Sequence, residues 1–315
     1  MALVTRIEAQ TNPHFGKQSQ ERSWRELIQN GIIVVDKPAG PTSHQVSAYV
    51  QKILGIKKAG HSGTLDPNVT GVLVIGLGEA TKAVHHLLRS GKEYVGVMHL
   101  HKPVEEYALR KAISDFTGTI TQLPPVKSAV KRVHRERNIY SFELIEADGQ
   151  DILFRVSCQA GTYIRKLCHD LGEHLGVGGH MATLRRTRVA QFTEASAVTL
   201  QTLTDAYVNA TEGNPAAMQR MLFFVETAVE HLKRIVILDS AVNALTHGVQ
   251  LKVPGIAAYD DAIRKGDEIA LYTLKGELVA TATAMLDGDK LGGTSGLAAK
   301  TTRVYLAADA YPRMQ

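Results

Sequence analysis

An α+β fold is what this sequence predicts: a mixed-sheet domain followed by a small, separate β-barrel. Three observations carry that expectation. Strand-like and helix-like stretches are intermixed up to about residue 231, and two of the strands bracket Asp148-Gly149, a hairpin signal foreign to a strict βαβ array. From Arg234 the texture changes to short β-branched runs separated by glycine-bearing turns. At 315 residues the chain exceeds the usual size of one domain, so a division into 31–231 and 232–315 behind an N-terminal extension, 1–30, is expected.

The elements follow in order. Residues 1–30 are polar, with Asn12-Pro13 and a Gln/Ser/Arg-rich piece, and read as a loosely ordered lead-in closing on a short helix from Trp24 to Gln29. Gly31 to Val35 is a β-branched strand, stopped by the turn Asp36-Lys37-Pro38-Ala39-Gly40-Pro41. Ser43 stands where it would cap a helix whose apolar positions Val46, Tyr49, Val50, Ile53 and Leu54 recur at helical spacing, with Gly55 as its stop. Val72 to Ile75 reads as a buried strand, Lys92 to Leu100 alternates as a strand should, and Glu105 to Phe116 has helical periodicity. Ile139 to Ala147 and Ile152 to Ala160 form the hairpin. Gly161 to Arg165 then turns into a helix with Ile164, Leu167, Cys168, Leu171 and Leu175 on its apolar face. The basic cluster Leu184-Arg185-Arg186-Thr187-Arg188 precedes another strand, and residues 200–231 read as helix-rich. In the last domain Ile235 to Leu238, Gly248 to Val253, Glu268 to Leu274, Leu278 to Leu286 and Arg303 to Leu306 are expected strands, and Leu291 to Leu297 a loop.

Composition narrows the function classes. Hydrophobic residues at 44% and charged residues at 21% describe an ordinary globular protein. A net charge of +5 and a pI near 9.1 are compatible with a nucleic-acid partner without requiring one. Cys158 and Cys168 give neither a disulfide framework nor a paired zinc spacing, which suits a reducing compartment. No apolar run is long enough to span a bilayer and no signal-peptide pattern opens the chain, so an intracellular, cytoplasmic protein is expected. The 13 histidines invite a metal reading, but His169 and His174 lie five apart, off the spacing of a helical zinc motif, and His85 and His86 are adjacent and diverge. No metal is expected.

Chemistry concentrates in Gly60-His61-Ser62-Gly63-Thr64-Leu65-Asp66-Pro67-Asn68-Val69-Thr70-Gly71. Pro67 pushes Asp66 out of the helical region, so one carboxylate is held in an extended or turn geometry ahead of a buried strand. Such a loop either aims a catalytic acid or is a surface turn whose Asp accepts backbone hydrogen bonds. By pattern alone Tyr94 and Tyr163 suit a core as well as a site, Arg165 suits a surface pair with Asp170 or Glu173, and Lys37 suits a solvated turn. The basic stretch Lys127 to Arg137, with Lys131 and Arg132, and the cluster of Arg185, Arg186 and Arg188 are either solvated faces or phosphate contacts.

Resemblance adds what spacing leaves open. The segment from Gly60 to Lys82 resembles the catalytic motif of pseudouridine synthases of the TruB and dyskerin group. Asp36-Lys37-Pro38-Ala39-Gly40, Gly91-Lys92-Glu93-Tyr94-Val95, Leu123-Pro124-Pro125-Val126-Lys127-Ser128-Ala129, Ala160-Gly161-Thr162-Tyr163-Ile164-Arg165 and Leu184-Arg185-Arg186 follow in that family's order. The resemblance implies that Asp66 attacks the nucleotide, that Arg165 pairs with it, and that Tyr94 stacks on uracil and helps remove the last ring proton. It further implies that Tyr163, Leu184, His61 and Lys37 contact substrate, and that Lys127, Lys131, Arg132, Arg185 and Arg186 contact RNA. No redox step is involved and no cofactor is implied. Leu245-Thr246-His247-Gly248-Val249 and Thr273-Leu274-Lys275-Gly276-Glu277 resemble a PUA domain, an RNA-binding barrel.

Val130 to Tyr140 and the compact hairpin after it resemble the archaeal, dyskerin-type branch; bacterial tRNA enzymes carry a longer insertion there. That branch implies an H/ACA guide RNA, rRNA and tRNA substrates, and three protein partners: a small zinc-containing scaffold protein, a small barrel protein and a kink-turn-binding protein. Two alternatives share the residues, a standalone synthase acting on the tRNA T-loop and a non-catalytic RNA-binding scaffold. Asn68 stands where many relatives of that family have lysine, and a lysine-rich tail of the nuclear kind is not expected.

Overall fold

The structure, a computed structural model of the chain, describes residues 2–124 and 131–313. Its helices are α1 (Trp24–Asn30), α2 (Ser43–Leu54), α3 (Val84–Leu87), α4 (Glu106–Asp115), α5 (Ile164–His174), α6 (Leu200–Thr211), α7 (Ala216–Met221) and α8 (Asp239–Thr246). Strands β1 (Leu3–Thr5), β2 (Gly31–Lys37), β3 (Ala59–His61), β4 (Thr70–Leu77), β5 (Lys92–Leu100), β6 (Gly118–Gln122), β7 (Arg135–Asp148), β8 (Asp151–Cys158) and β9 (Gly179–Val189) lie in the first two thirds. Strands β10 (Phe192–Thr193), β11 (Leu222–Phe224), β12 (Lys233–Ile237), β13 (Leu251–Lys252), β14 (Ile256–Asp260), β15 (Glu268–Tyr272), β16 (Leu278–Ala284) and β17 (Leu297–Val304) complete the chain. No helix among the described residues is long and apolar enough to cross a membrane.

The chain forms two compact units, residues 33–75 with 84–221, and residues 1–32, 76–83 and 222–315. In the first, the sheet runs β2-β4-β9-β5-β8-β7-β6. β4 pairs with β9 in parallel, and β5 lies antiparallel between β9 and β8, so the sheet is mixed as expected. Along β5 the residues Lys92, Tyr94, Gly96, Met98 and Leu100 are buried while those between them are half-buried, the period-two signature of a strand with one face on a core. That core gathers Leu65, Val69, Tyr94, Phe154, Leu167, Leu171 and Leu184, with α5 on one side of the sheet. The β7–β8 hairpin turns at Gly149, whose φ of +58° is the left-handed geometry anticipated for Asp148-Gly149.

Two local expectations are corrected here. Thr42, not Ser43, caps α2: its hydroxyl accepts from Gln45 N, and Gln45 reaches back to the Thr42 amide, a reciprocal capping box. The basic cluster Leu184 to Arg188 not only stands ahead of a strand, the two-residue β10, but itself lies inside β9. Strand alternation therefore sorts its side chains onto opposite faces.

The second unit carries a seven-stranded sheet in the order β1-β14-β12-β15-β16-β17-β13 around Ile235, Ile237, Val242, Ile269, Leu271 and Val279. Helix α8 and strand β14 were not expected, and β17 begins at Leu297 inside the region read as loop and turn. β14 is Ile-Ala-Ala-Tyr-Asp, buried throughout, so it shows no alternation from which to read it. Residues 200–231 are helix-rich as expected, with α6, α7 and a 3-10 helix at Val225–Val229, but β11 interrupts them at Leu222–Phe224.

The lead-in is folded rather than loose. β1 pairs antiparallel with β14, Leu3 opposite Asp260. Lys275 Nζ donates to the carbonyls of Pro13 and Gly16, each at 3.3 Å. Gly16, at φ +60°, leaves space that a Cβ would fill within 2.2 Å of Glu277 Oε2, so only glycine lets the chain pass this buried carboxylate.

Candidate active site

Asp66 sits at the tip of the loop between β3 and β4, half-exposed, with Leu65 and Val69 buried on either side of it as anchors. Its backbone carbonyl accepts from Val69 N at 3.0 Å, closing a turn across Pro67. Two buried side chains fix the loop. Ser43 Oγ accepts from Leu65 N at 2.8 Å and donates to Leu65 O at 3.3 Å. Lys37 is fully buried and its Nζ donates to the carbonyls of Pro38, Pro67 and Val69 at 2.9, 2.8 and 2.8 Å. Burial pushes the Lys37 pKa down, with Arg186 adding to the effect. Lys37, expected against substrate, is therefore spent on main-chain oxygens beneath the loop.

Arg165 Nη2 forms an ion pair with Asp66 Oδ2, both side chains half-exposed. The neighbours on α5 that competed for Arg165 have other partners: Asp170 takes Lys166, and Glu173 lies 3.9 Å from His169. Arg165 is presented by the first turn of α5, and Tyr163, directly before that helix, is held by a residue sequence reading missed. Gln122, buried at the end of β6, accepts from Tyr163 N at 3.0 Å and donates to Tyr163 O at 3.1 Å. A polar side chain at an inward strand position was the signal available.

Tyr94 is 8% exposed and hydrogen-bonds Arg186, its in-register neighbour on β9. Burial holds the phenol pKa above its usual value while the guanidinium works against the rise, so at neutral pH Tyr94 is a neutral ring. Leu184 packs in the same core cluster as Tyr94, Leu65 and Ile164. Gly96 on β5 makes room for it; a Cβ there would lie 2.8 Å from Leu184 Cδ1. His61 Nδ1 accepts from Gly63 N at 3.3 Å, and burial together with His44 and Arg186 pushes its pKa down to about 4, leaving a neutral imidazole. Beside Arg165 a cleft of about 960 Å³ opens, lined by Phe116, Ile120, Leu123, Arg132 and His169 among others.

The basic residues separate into two fates. Lys131 and Arg132 are exposed, and Arg132 lines the cleft; Lys127 lies outside the described residues. Arg186, expected on RNA, is 1% exposed, with Nε on Val72 O at 2.8 Å and its guanidinium on Tyr94, out of reach of a phosphate. Arg185 is committed as well: it grips Asp36 with both terminal nitrogens at 2.9 and 3.0 Å and pairs with Glu194 through Nε. Arg188 turns to Glu93 and Ser157. These three join strands and do not form an RNA-facing cluster. Lys92 was missed too; it is 6% exposed, caps the carbonyls of Leu87, Leu88 and Ser90, and has its pKa pushed down to about 8 by burial, then by Arg186. Lys37, Lys92 and Arg186 thus place three buried cations under a loop that presents a carboxylate, an electrostatic frame that favours negative charge there.

Residues 51–164 match the TruB family pseudouridylate synthase N-terminal domain, and residues 165–230 the tRNA pseudouridylate synthase B C-terminal domain. The chain belongs to the TruB family of pseudouridine synthases. Residues 233–305 of this synthase match a PUA domain and residues 1–47 a DKCLD (NUC011) domain. It is 51% identical to the probable tRNA pseudouridine synthase B of Methanosarcina barkeri, over 99% of this chain and 93% of the relative, and 50% identical to that of Nanoarchaeum equitans, over 98% and 88%. Among solved structures it resembles a chain of a Cbf5-Nop10-Gar1 complex, with a TM-score of 0.94 at 46% identity over 99% of this chain and 96% of that one. A chain from an H/ACA RNP bound to a substrate RNA containing 2′-deoxyuridine gives 0.92 at 44% identity, over 99% and 96%. The α+β catalytic fold followed by a PUA barrel, and the activity of an RNA pseudouridine synthase, stand on these matches together.

Proposed function

We propose that this synthase isomerises specific uridines of rRNA, and of tRNA, as the catalytic subunit of an H/ACA guide-RNA particle, with Asp66 as the attacking carboxylate. The observation that carries the chemistry is the Asp66–Arg165 ion pair at the lip of the cleft, on a loop fastened by Lys37 and Ser43. The reaction breaks the nitrogen–carbon glycosidic bond, turns the freed base and joins its carbon to the same sugar carbon. Asp66 attacks the sugar carbon or takes an adjacent sugar proton, and Arg165 keeps the carboxylate ionised and oriented. Tyr94 stacks on uracil, and removal of the last ring proton by its oxygen relies on Arg186 stabilising the phenolate. Tyr163, Leu184 and His61 shape the site around a base that has been flipped out of its RNA.

Guide dependence rests on the likeness, along nearly the whole chain, to proteins solved in H/ACA assemblies, and on the tight turn of the β7–β8 hairpin at Gly149-Gln150, which adds little surface of its own for selecting a substrate. The particle's guide RNA, zinc-containing scaffold protein, barrel protein and kink-turn binder are partners in this reading, with the PUA barrel on the guide. A second reading, unguided modification of tRNA, is favoured by the names of the curated relatives, which are tRNA pseudouridine synthases B. The deciding experiment assays the full chain on an rRNA fragment and on tRNA, each with and without guide RNA and partner proteins, alongside Asp66→Asn. Guided rRNA turnover that Asp66→Asn abolishes is expected. Turnover on tRNA alone would replace the particle reading with the second, and near-normal activity of Asp66→Asn would remove Asp66 from the chemistry.

A further inference from the structure

The ion pair of Asp66 with Arg165 is half-exposed on both sides. An attraction in contact with water is weak, and it does not by itself fix where a long side chain lies. The aim of Arg165 therefore comes from its backbone, in the first turn of α5.

Arg165 is the second residue of α5, and Tyr163 stands immediately before the helix in extended backbone, at φ −93° and ψ 99°. Helices often secure that position with a capping box, in which a Glu or Gln at the third helical residue accepts from the amide of the residue ahead of the helix. Here the third residue is Lys166, which has only donors to offer and turns them to Asp170. The acceptor comes from another strand instead. Gln122, 2% exposed at the end of β6, accepts from Tyr163 N at 3.0 Å and donates to Tyr163 O at 3.1 Å. The same carbonyl takes Leu167 N at 2.9 Å, the first bond of the helix. One amide thus holds the peptide groups on both sides of the Tyr163 Cα, which sets its φ and ψ and so the direction in which α5 leaves. β6 is itself tied to β7, with Gln122 opposite Arg135, and the turn ahead of Tyr163 is closed by Thr162 Oγ1 donating to Gln159 O at 2.7 Å. Arg165 lies two residues beyond Tyr163, at most about 7 Å of chain, too short a run to absorb a change in that direction.

We propose that Gln122 is a positioning residue of the reaction: by holding the Tyr163 backbone it keeps Arg165 on Asp66. This rests on the reading of Asp66 and Arg165 as the pair at the reacting centre, and adds to it a buried amide that its burial closes off from RNA. The two bonds also say which replacement can stand in. A glutamic acid side chain that keeps its proton offers one acceptor and one donor in the layout of the amide, whereas the carboxylate faces Tyr163 O without a hydrogen, and methionine offers neither group.

The test follows single-turnover pseudouridine formation with enzyme in excess, on whichever RNA the wild type modifies, tRNA or the guided rRNA fragment, with affinity measured alongside and each variant kept well below its unfolding midpoint. Gln122→Met should slow the bound complex roughly 10- to 100-fold, the effect of about 1 Å of misplacement, with affinity within a few-fold. In an Arg165→Lys background the same change should cost less than about 3-fold, because two changes that act on one contact do not add. Gln122→Glu should match Gln122→Met at about pH 8 and approach the wild type, compared at the same pH, as the pH is lowered to about 5 and the buried carboxyl takes its proton. Wild-type rates in Gln122→Met, equal losses in both backgrounds, or a Gln122→Glu ratio that does not rise on acidification overturn the proposal. Should Gln122→Met fail to fold, or Arg165→Lys turn over too slowly to follow, the Gln122→Glu profile decides. An Arg165→Lys enzyme with the wild-type rate sinks the ion-pair reading itself and this proposal with it, whereas a slow Arg165→Lys enzyme beside a fast Gln122→Met one sinks the positioning role alone.

Discussion

Replacing Lys37 with Met tests whether that residue touches RNA or holds the loop. The substitution keeps most of the stem and removes the ammonium, so three hydrogen bonds to Pro38 O, Pro67 O and Val69 O are lost. Each hydrogen bond to a charged group is worth at most about 1.5–3 kcal/mol, so the loss of three has an upper bound of about 4.5–9 kcal/mol. Against this stands relief from burying a cation that burial already disfavours, a gain of several kcal/mol. The difference predicts a loss of about 2–4 kcal/mol in the stability of the catalytic unit, read from urea unfolding. Because Nζ is shielded from solvent, RNA affinity should stay within a few-fold while kcat falls with the loosened Asp66 loop. Unchanged unfolding together with a large loss of RNA affinity would refute the argument and return Lys37 to the substrate surface.

Other outcomes follow from the same geometry. Neutralising Lys131 and Arg132 together should flatten the log–log salt dependence of RNA binding by roughly 1.4–1.8, about 0.7–0.9 per contact, whereas Arg185→Gln should leave the slope alone and lower the unfolding midpoint through its lost Asp36 pair. His61 titrates near 4 in the folded chain against about 6.5 unfolded, so the unfolded state binds more protons between those values and stability falls as pH drops through that window. His61→Gln should lose less stability than the wild type between pH 7 and pH 4.5, measured by denaturant midpoint. Gly96→Ala would bring a Cβ to 2.8 Å from Thr183 O and Leu184 Cδ1 and should lower thermal stability by about 1–3 kcal/mol, checked by calorimetry.

The elements that could be read in advance are those whose pattern is set by one neighbour. β5 alternates because a single face meets the core, and α5 shows its stripe for the same reason. Strand β14 was invisible because both faces are buried and its small residues carry no period. The pairing of Asp66 with Arg165 was foreseen from resemblance, since nearly a hundred residues separate them and no local pattern links them. Arg185 and Arg186 show the opposite failure. As letters they are one basic patch, yet a single step along β9 sends the first to Asp36 and the second into the core beside Tyr94. Once β9 is placed, alternation with Leu184 would have put Arg186 inside. Lys92 carried the same hint, sharing the inward positions of β5 with Tyr94 and Met98.

The loop that bears Asp66 has neither helical nor sheet bonding along most of its length, yet its amides are not free to exchange with water at the rate of an ordinary loop. Leu65 N is held by Ser43, Val69 N by Asp66 O and Ser62 N by Val74 O. Deuterium would enter these positions only when β4, α2 and the Lys37 cage open together, on the slow timescale of the core. A substrate therefore meets a carboxylate whose place is already set, and the free energy of ordering that loop is spent when the chain folds, not at each turnover.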